Sequence, residues 1–504
     1  LNQPLRFDFY TPTFPLQVSQ YGTPRTSNQT SNDLGIYVQD QWTIDRLTLN
    51  LGVRYDHVNA YIPEQVHPTS RFVNTFTVDR IENVPNYHDI SPRVGMAYDL
   101  SGDGRTAIKA TMGRYIMAVG TQIAQTVNPM EAIQIATSRS WGDLPFQGGN
   151  GNRIPDCDFD NFSANGECGP VRNPEFGTPQ IVQRYDQDLL EGWGKRAYQW
   201  QNSVSIQQEL FDGWSVEVGW FRTAYSNFRV TDNLNIGPSD FSSFCISAPT
   251  DTRLGSFSGQ QLCDLATITP AGQAKGTDNL VTLASNYPGG ENMAQVFNGV
   301  DVNFQGRFDN GLSLGGGMST GSTSFDECFI VDSPMQARSG YCDVNAPWIA
   351  GTQLKFNGAI PLPGDTEFSF VFQNLAGRPW ESIYQAGADP TERAAIESQI
   401  GHPMVVGSEE IDLFPSGSGS DTNGPDSFFF TGSEFYEPRL TQLDLRFTKI
   451  IRMGGARVRA WIDLFNIFNA NSASNINGNY GDVYPRVAQI MGGRLFKIGG
   501  QFDF

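Results

Sequence analysis

The final segment of the chain, residues 496–504, alternates between two kinds of side chain, and this pattern constrains the fold more than any other feature. One set of alternate positions holds Phe496, Ile498, Gly500, Phe502 and Phe504. The positions between them hold Lys497, Gly499, Gln501 and Asp503. Because successive side chains of a β-strand point to opposite faces, this two-residue period predicts a strand with one apolar face and one polar face.

The same period recurs from one end of the chain to the other, in about 13 segments that read as strands. Leu47–Tyr55 and Leu443–Phe447 are two examples. Tight turns such as Asp45–Arg46 and Asp309–Gly311 join strands in pairs, whereas long loops join one pair to the next. The predicted long loops cover residues 62–90, 121–195, 231–291, 326–346, 382–435 and 470–484. Residues 4–10 are expected to supply the end of one more strand, which makes about 14 in all.

The composition fits a membrane protein only if strands, not helices, cross the membrane. Mean hydropathy is −0.34, and no apolar run approaches the roughly 18–20 residues that a membrane helix needs. The strands of a membrane barrel alternate, so their mean hydropathy resembles that of a soluble protein. The 53 acidic residues against 34 basic ones give a net charge of −19, which argues against nucleic acid and anionic lipid surfaces as partners.

The polar faces of the predicted strands separate a membrane barrel from a soluble β-sandwich or propeller, whose strands also alternate. Asp444 and Arg446 share the polar face of one strand, and Arg457, Arg459 and Asp463 share that of the next. Polar faces opposite aliphatic and aromatic ones indicate a wet lumen inside an apolar exterior. Tight turns at one end and long loops at the other are typical of the periplasmic and extracellular sides of an outer-membrane barrel. The sequence therefore predicts an all-β, transmembrane antiparallel β-barrel with long extracellular loops, in which residues 1–504 form one barrel domain surrounded by outer-membrane lipid.

Several segments resemble the TonB-dependent receptors of the bacterial outer membrane. They are Tyr37–Trp42 with Leu47–Tyr55, Ser91–Tyr98 with Gly113–Tyr115, and Asp463–Asn469 before the last strand, while Trp200–Trp220 and Phe297–Gly321 resemble the Oar-like branch. The resemblance covers nearly the whole chain. It implies a barrel of about 22 strands, an N-terminal plug that fills it, and a TonB box that contacts an energising inner-membrane complex. Because the chain begins at Leu1 without a signal peptide, plug or TonB box, we expect it to be the C-terminal part of such a barrel.

The end of the chain resembles the terminal signal of outer-membrane barrels. Phe504 is a terminal aromatic residue, and Phe502 and Ile498 lie on the same predicted face. The resemblance implies that these residues form a membrane-insertion signal and that the barrel-assembly machinery is a partner.

All six cysteines lie in predicted extracellular loops, as pairs that are close in sequence. The pairs are Cys157 with Cys168, Cys245 with Cys263, and Cys328 with Cys342. Six cysteines allow 15 connectivities, but anchoring of the loops by strands favours these three local ones, and export through an oxidising periplasm permits them. The alternative is free buried thiols. Disulfides here are expected to stiffen exposed loops rather than to perform redox chemistry.

The loop that contains the first cysteine pair is a candidate Ca²⁺ site. Asp156, Asp158, Asp160 and Glu167 occupy positions 1, 3, 5 and 12 of an EF-hand-like spacing, although Asn161 replaces the usual glycine at position 6 and no flanking helices are evident. Alternatively, Asn150, Asn152 and Asp156 resemble short Ca²⁺ repeats of extracellular proteins. Hard oxygen ligands at alternate positions suit Ca²⁺. The other interpretation is a solvated acidic loop held by its disulfide, and beyond this site no cofactor is predicted.

The sequence gives little support for catalysis. The four histidines form no metal-binding pair. Gly317–Gly321 matches the nucleophile-elbow pattern around Ser319, but that elbow needs a strand-to-helix turn and this segment reads as a glycine-rich strand. The chain is therefore predicted not to be an enzyme. The leading functional hypothesis is TonB-dependent transport of a bulky, unidentified substrate through a gated barrel. The alternatives are a non-transporting, surface-anchored barrel whose loops serve adhesion or assembly, and a passive porin.

Overall fold

Thirteen long strands form one antiparallel sheet in the computed structural model, which describes residues 4–12, 14–181, 183–415 and 436–504. In chain order these strands are β1 (Thr30–Ile44), β2 (Leu47–Tyr61), β3 (Asn86–Asp99), β4 (Thr106–Ile116), β5 (Tyr198–Phe211), β6 (Trp214–Ser226), β7 (Ala294–Arg307), β8 (Ser313–Asp326), β9 (Gln353–Leu362), β10 (Thr366–Leu375), β11 (Leu440–Met453), β12 (Ala456–Phe465) and β13 (Leu495–Asp503). Each strand pairs with the next one along the chain, so β1 and β13 are the two ends of the strand order. Two short strands also join this sheet: Glu191–Trp193 pairs parallel with β3, and Asp343–Asn345 pairs with β8.

Tight turns lie at one end of the sheet and long loops at the other, as the sequence predicts. Asp45 and Arg46 alone separate β1 from β2, and Asp45 adopts a positive φ of 49°. At the turn between β7 and β8, Gly311 adopts a φ of 86°, a left-handed conformation that glycine reaches without steric cost. The polypeptide between β2 and β3, β4 and β5, β6 and β7, β8 and β9, β10 and β11, and β12 and β13 forms the six long loops.

The long loops contain short strands of their own. These are Gln65–His67, Phe76–Val78, Ala136–Trp141, Cys168–Val171, Gln183–Tyr185, Arg229–Asn233, Phe241–Ser247, Gln261–Ile268, Asn279–Leu283, Ile383–Ala386, Glu409–Asp412, Ala473–Asn477 and Arg486–Ile490. Two more short strands, Leu5–Thr11 and Phe14–Tyr21, precede β1. Most of them pair into small sheets of two to four strands, separate from the main sheet.

The prediction that residues 4–10 supply a fourteenth strand of the main sheet is wrong. Leu5–Thr11 does not join the main sheet but pairs with Phe14–Tyr21, which pairs in turn with Ala136–Trp141. Phe7 and Phe9 pack on Trp141 at ring-centroid distances of 5.9 and 5.2 Å. The alternation of residues 4–10 is therefore that of a strand in a small separate sheet, which pairs with the next segment of the chain and packs on Trp141, more than a hundred residues away.

The helices are short and also lie in the long loops. The α-helices are Gln122–Val127, Pro129–Ala132, Gln187–Leu190, Pro270–Gln273, Trp348–Gly351 and Pro390–Ile400, and the 3₁₀ helices are Pro145–Gln147, Pro238–Asp240, Thr252–Phe257, Ala284–Asn286, Gly290–Asn292 and Pro334–Ala337. The longest, Pro390–Ile400, begins where the Asp389 side chain accepts hydrogen bonds from the amides of Thr391 and Glu392, and it ends at Gly401 with a φ of 78°. Within the described residues, no helix has the length and apolar character needed to cross a membrane.

The apolar cores lie in the loops rather than between layers of the main sheet. Three clusters of buried apolar residues form there, and members of the two largest include Leu413 and Phe414 in one and Ile62 and Met130 in the other. Apolar residues of the main sheet remain exposed instead, as in Ile36 at 58% and Ile498 at 70%. The sheet therefore presents an apolar face that no other part of the described protein covers.

Candidate functional site

The opposite, polar face of the main sheet holds every lumen-facing residue that the sequence predicts. Arg446 lies directly opposite Asp463 in the register of β11 and β12, and the two side chains form a bidentate ion pair with Nε–Oδ1 and Nη2–Oδ2 distances of 2.5 and 3.0 Å. Arg459 Nη2 lies 3.4 Å from Asp503 Oδ2, and Arg457 lies opposite Asp503 in the register. These positive groups are thus matched to carboxylates on neighbouring strands of the same face.

Asp444 shares this face but has different partners. Its carboxylate accepts hydrogen bonds from the Gln442 side chain at 2.9 Å and from the backbone amide of Asn466 at 2.7 Å. The structure therefore pairs Arg446 with Asp463, whereas Asp444 binds the backbone at the start of the loop after β12.

Cavities lie along the polar face of the main sheet. Beside the ion pair, a cavity of about 450 Å³ is lined by Glu367, Arg446, Arg459, Trp461 and Gln501 among others. Near the first four strands, a cavity of about 660 Å³ is lined by polar and aromatic residues that include Tyr37, Gln39, Asn50, Arg93 and Tyr115.

A third cavity, of about 580 Å³, is a recess that sequence analysis missed. Its floor is the row Gly315, Gly317 and Ser319 on β8, and amide side chains from β7 and β9 surround it, namely Asn303, Gln305, Gln353 and Asn357. A Cβ atom at Gly317 would lie 2.3 Å from Asn303 Oδ1, so the lack of a side chain at Gly317 leaves room for the Asn303 amide over β8. The sequence feature that could have revealed this recess is the alternation within residues 313–319, which places small residues on the polar face. Ser319 lies within β8 and not at a strand-to-helix turn, so no nucleophile elbow forms.

The predicted insertion signal lies on the apolar face at the edge of the sheet. Ile498, Phe502 and Phe504 are 70%, 56% and 101% exposed. Their position at the edge strand β13 fits contact with lipid or another protein, and their role as a signal stays a prediction.

All three predicted disulfides are present, each within a single loop. The S–S distances are 1.97 Å for Cys157–Cys168, 2.08 Å for Cys245–Cys263 and 1.92 Å for Cys328–Cys342. The structure contains no free cysteine among the described residues.

Half of the predicted Ca²⁺ ligands come together. Asp156 Oδ2 accepts hydrogen bonds from the amide nitrogens of Asn150 and Asn152 at 2.5 and 3.2 Å. The Glu167 carboxylate accepts from the backbone amides of Asn150 and Asp156, both at 3.1 Å. Asn150 Oδ1 and Asn152 Oδ1 accept hydrogen bonds from the backbone amides of Asn152 and Ile154, at 2.9 and 2.7 Å, so both side chains present nitrogen to the Asp156 carboxylate.

The EF-hand-like arrangement of four carboxylates does not form. Asp160 Oδ1 lies 3.6 Å from Arg71 Nε, and Asp158 Oδ1 accepts a hydrogen bond from the Asp160 amide. In the part of the chain that is described, no group of three or more His, Cys, Asp or Glu side chains is placed to hold a metal ion. Of the predicted ligands, Asn150, Asn152 and Asp156 are in direct side-chain contact, and Ca²⁺ binding by them stays a prediction.

Three long loops pack into one unit at the long-loop end, which we call the cap. Residues 241–268, 383–414 and 473–490 provide its common apolar core, in which Leu254, Ile396 and Tyr484 are 0%, 1% and 2% exposed. Backbone hydrogen bonds cross between two of these loops, from Ile383 N to Gly478 O at 2.9 Å and from Tyr480 N to Ile383 O at 2.8 Å.

Arg253 and its ion-pair partner Asp251 connect one loop of the cap to another. The Arg253 guanidinium is bound by the Asp251 carboxylate at 2.5 Å and donates to the backbone carbonyl of Tyr484 on another loop. Asp251 also accepts a hydrogen bond from the Tyr480 hydroxyl at 2.9 Å. The hydrogen bond from Arg253 lowers the pKa of the Asp251 carboxyl well below its usual range, so this contact persists at acidic pH.

A second contact between loops depends on two carboxyl groups. Asp332, in the loop closed by Cys328–Cys342, accepts hydrogen bonds from the Asn233 amide at 3.2 Å and lies beside Asp232. Burial is the main reason that the pKa of Asp332 is raised to about 6, and proximity to Asp232 raises it further. Tyr287 donates its hydroxyl to Asp232 at 2.5 Å. Ionisation of Asp332 as pH rises through about 6 therefore destabilises the packing of this loop, because it places a charge in a buried site beside Asp232, whereas the hydrogen bond from Asn233 itself favours the ionised form.

Comparison with known proteins gives one family match. Residues 8–317 match the family model described as an outer membrane beta barrel domain. No curated protein matches the chain.

Solved structures that resemble the chain do so at low identity. The outer membrane transporter YddB from Escherichia coli is 8% identical with a TM-score of 0.45, over 97% of this chain and 55% of that one. The ferripyoverdine receptor of Pseudomonas aeruginosa is 11% identical with a TM-score of 0.42, over 98% and 40% of the two chains. The siderophore receptor PiuA from Acinetobacter baumannii is 9% identical with a TM-score of 0.44, over 97% and 44%. The chain thus spans about half the length, or less, of the solved structures that it matches.

Proposed function

The chain belongs to the family of outer membrane beta barrel domains, and on that premise we propose that it forms the wall of a TonB-dependent transporter for a bulky polar substrate. As a member of this family, the protein lies in the bacterial outer membrane. The family consists of membrane barrels and not of enzymes. The transport function, its coupling to TonB and the size of the substrate are the proposal.

The observation that carries the proposal is the continuous polar face of the main sheet. Cavities of about 660, 580 and 450 Å³ follow one another along the face that would line a lumen. Amide, hydroxyl and charged side chains line them, and such groups exchange hydrogen bonds with a passing solute.

The two ends of the strand order support a larger barrel. In the described residues, β1 and β13 each have a strand partner on one side only. An open sheet edge in lipid leaves backbone groups without hydrogen bonds, which costs several kcal/mol for each group. We therefore place this sheet as the C-terminal part of a barrel of about 22 strands, closed by strands of a longer polypeptide that also supplies a plug and a TonB box. The barrel-assembly machinery would recognise Phe504 with Phe502 and Ile498.

The experiment compares cells with the full-length protein, cells without it, and cells with it but with an inactive TonB complex. Solutes labelled by growth on isotopic carbon are measured inside the cells and in the medium. The proposal expects at least one solute whose distribution changes in the same direction in both deficient strains. If the solute distribution differs from that of the parent in the strain without the protein but not in the TonB-deficient strain, the protein is a passive pore and not a TonB-dependent transporter. If neither differs, transport is refuted.

A second candidate function is a surface-anchored barrel whose loops serve adhesion or assembly. The observation that favours it is the cap, because a shared apolar core and disulfide-closed loops make a durable exposed surface. Deletion of residues 241–268 separates the two functions. If the cap is the functional part, the deletion should abolish adhesion and leave the solute distribution unchanged. If the protein is a transporter, the shortened protein should retain or increase its solute flux.

Ca²⁺ binding by Asn150, Asn152 and Asp156 is proposed for the loop closed by Cys157–Cys168. The disulfide holds the loop ends, so little further entropy is lost when a cation gathers the oxygens. Calcium should raise the resistance of this loop to proteolysis, and chelation should remove that protection. Asp156→Asn should abolish the effect, whereas Asp160→Asn, which alters a carboxylate outside the cluster, should not. Equal proteolysis with and without Ca²⁺ in the unmodified protein would contradict the proposal.

A further inference from the structure

A group of arginines at the long-loop end of β3–β6 carries more positive charge than its carboxylate neutralises. Asp89 on β3 is fully buried, and its two oxygens bind Arg196 Nε at 2.6 Å and Arg114 Nη2 at 3.3 Å. A third guanidinium, that of Arg229, donates to the hydroxyl of Tyr87 at 3.3 Å. Arg114 and Arg196 thus share one carboxylate, and Arg229 adds a third positive charge beside Tyr87 on the same strand.

The next carboxylate along the sheet does not correct the imbalance. Asp56 lies directly opposite Asp89 in the register of β2 and β3, and it is also buried. However, Asp56 forms its own ion pair with Arg54, at 2.8 Å. Adding this pair leaves the same excess of two positive charges.

Two donors of the group have no acceptor. Arg196 Nη2 and Arg229 Nε are both shielded from solvent and make no hydrogen bond to any described residue. The Arg196 side chain is only 3% exposed. Tyr87 and Asp89 are two residues apart on β3 and lie on the same face, so the guanidinium groups bound to them, those of Arg229 and Arg196, are neighbours. A buried donor without an acceptor costs about 1–3 kcal/mol, and more when it is charged.

We infer that Arg196 and Arg229 bind a small monovalent anion, for which chloride is the abundant candidate. One such anion accepts hydrogen bonds from several N–H donors at once and halves the excess charge, whereas a water molecule would satisfy the donors and leave the charge. The anion is small because the groups around it, Tyr87, Asp89 and Arg196, are buried. It joins the segment that leads into β5 to the segment that follows β6, because Arg196 belongs to the first and Arg229 to the second.

Bromide replaces chloride and scatters anomalously, so crystals of the unmodified full-length protein grown in bromide test the site directly. The inference expects an anomalous peak within hydrogen-bonding distance of Arg196 Nη2 and Arg229 Nε. Density without an anomalous signal at this position would show a water molecule and overturn the inference. Peaks at the protein surface alone would overturn it equally.

Thermal unfolding in solution gives a second readout. At constant ionic strength, replacing chloride by gluconate, which is too large for a buried site, should lower the Tm of the unmodified protein. Arg229→Gln should lose this dependence on chloride. The matched control is Arg184→Gln, which removes an exposed ion pair with Asp278 in the same pair of loops and should retain the dependence. Equal chloride dependence in both variants would show a general salt effect and refute the site. The crystallographic result decides the matter if Arg229→Gln does not fold.

Discussion

Replacing Ile396 by alanine should open the whole cap and not only the helix that carries it. Ile396 is the buried residue of the helix Pro390–Ile400, and it is 1% exposed in a core that three loops share. Truncation of a buried isoleucine to alanine typically costs about 2–5 kcal/mol, and the lower end applies where the surroundings can collapse. A loop unit can collapse more readily than a sheet, so we expect about 2 kcal/mol, which corresponds to roughly 30-fold more frequent opening.

Hydrogen exchange measures this opening at amides that link the loops. The amides of Ile383 and Tyr480 donate across the boundary between residues 383–414 and 473–490, so each is protected only while the cap is closed. Their exchange rates should rise by about 30-fold together, as should those of residues 241–268.

The matched control is Ile154→Ala, which makes the same chemical change at a side chain that is 61% exposed in another loop. Exposed substitutions usually change stability by less than about 0.5 kcal/mol, so exchange in the cap should not change. Faster exchange confined to residues 390–400 in Ile396→Ala would refute the reasoning, because the three loops would then open independently.

Two further predictions concern charged groups. Burial and the neighbouring Asp232 raise the pKa of Asp332, so the loop that carries it is most stable below the carboxyl's ordinary pKa, and this stability is lost as pH rises through about 6; Asp332→Asn should remove this pH dependence, measured as protease resistance of the loop between pH 4 and 7 (roughly the range that spans both pKa values). Arg446→Ala should destabilise the barrel in lipid by about 2 kcal/mol, because it leaves the buried carboxylate of Asp463 without its bidentate partner. Arg452→Ala removes an exposed pair and should cost less than about 1 kcal/mol in the same urea-unfolding measurement, and equal losses would contradict the argument.

The strands of the main sheet were predictable because the signal for each lies within its own residues. Alternation marks the two faces, and turn residues such as those at 309–311 mark the hairpins. Local spacing also predicted the disulfides, since each joins cysteines less than 20 residues apart, the longest separation being 18.

The loop structure was not predictable because its contacts join distant parts of the chain. Residues 4–10 alternate like a barrel strand, yet they pack on Trp141. Asp89 meets Arg196 across 107 residues of sequence. In both cases a local pattern is compatible with several partners, and the partner is chosen by tertiary packing.

The placement of the disulfides has a consequence for the mechanics of the cap. Every covalent cross-link closes on its own loop, so none ties one loop to another. Of the three loops that form the cap, residues 241–268 contain a disulfide, Cys245–Cys263, and the other two contain none, so every contact between the loops is noncovalent. The cap can therefore open and close in an oxidising medium without any exchange of sulfur bonds.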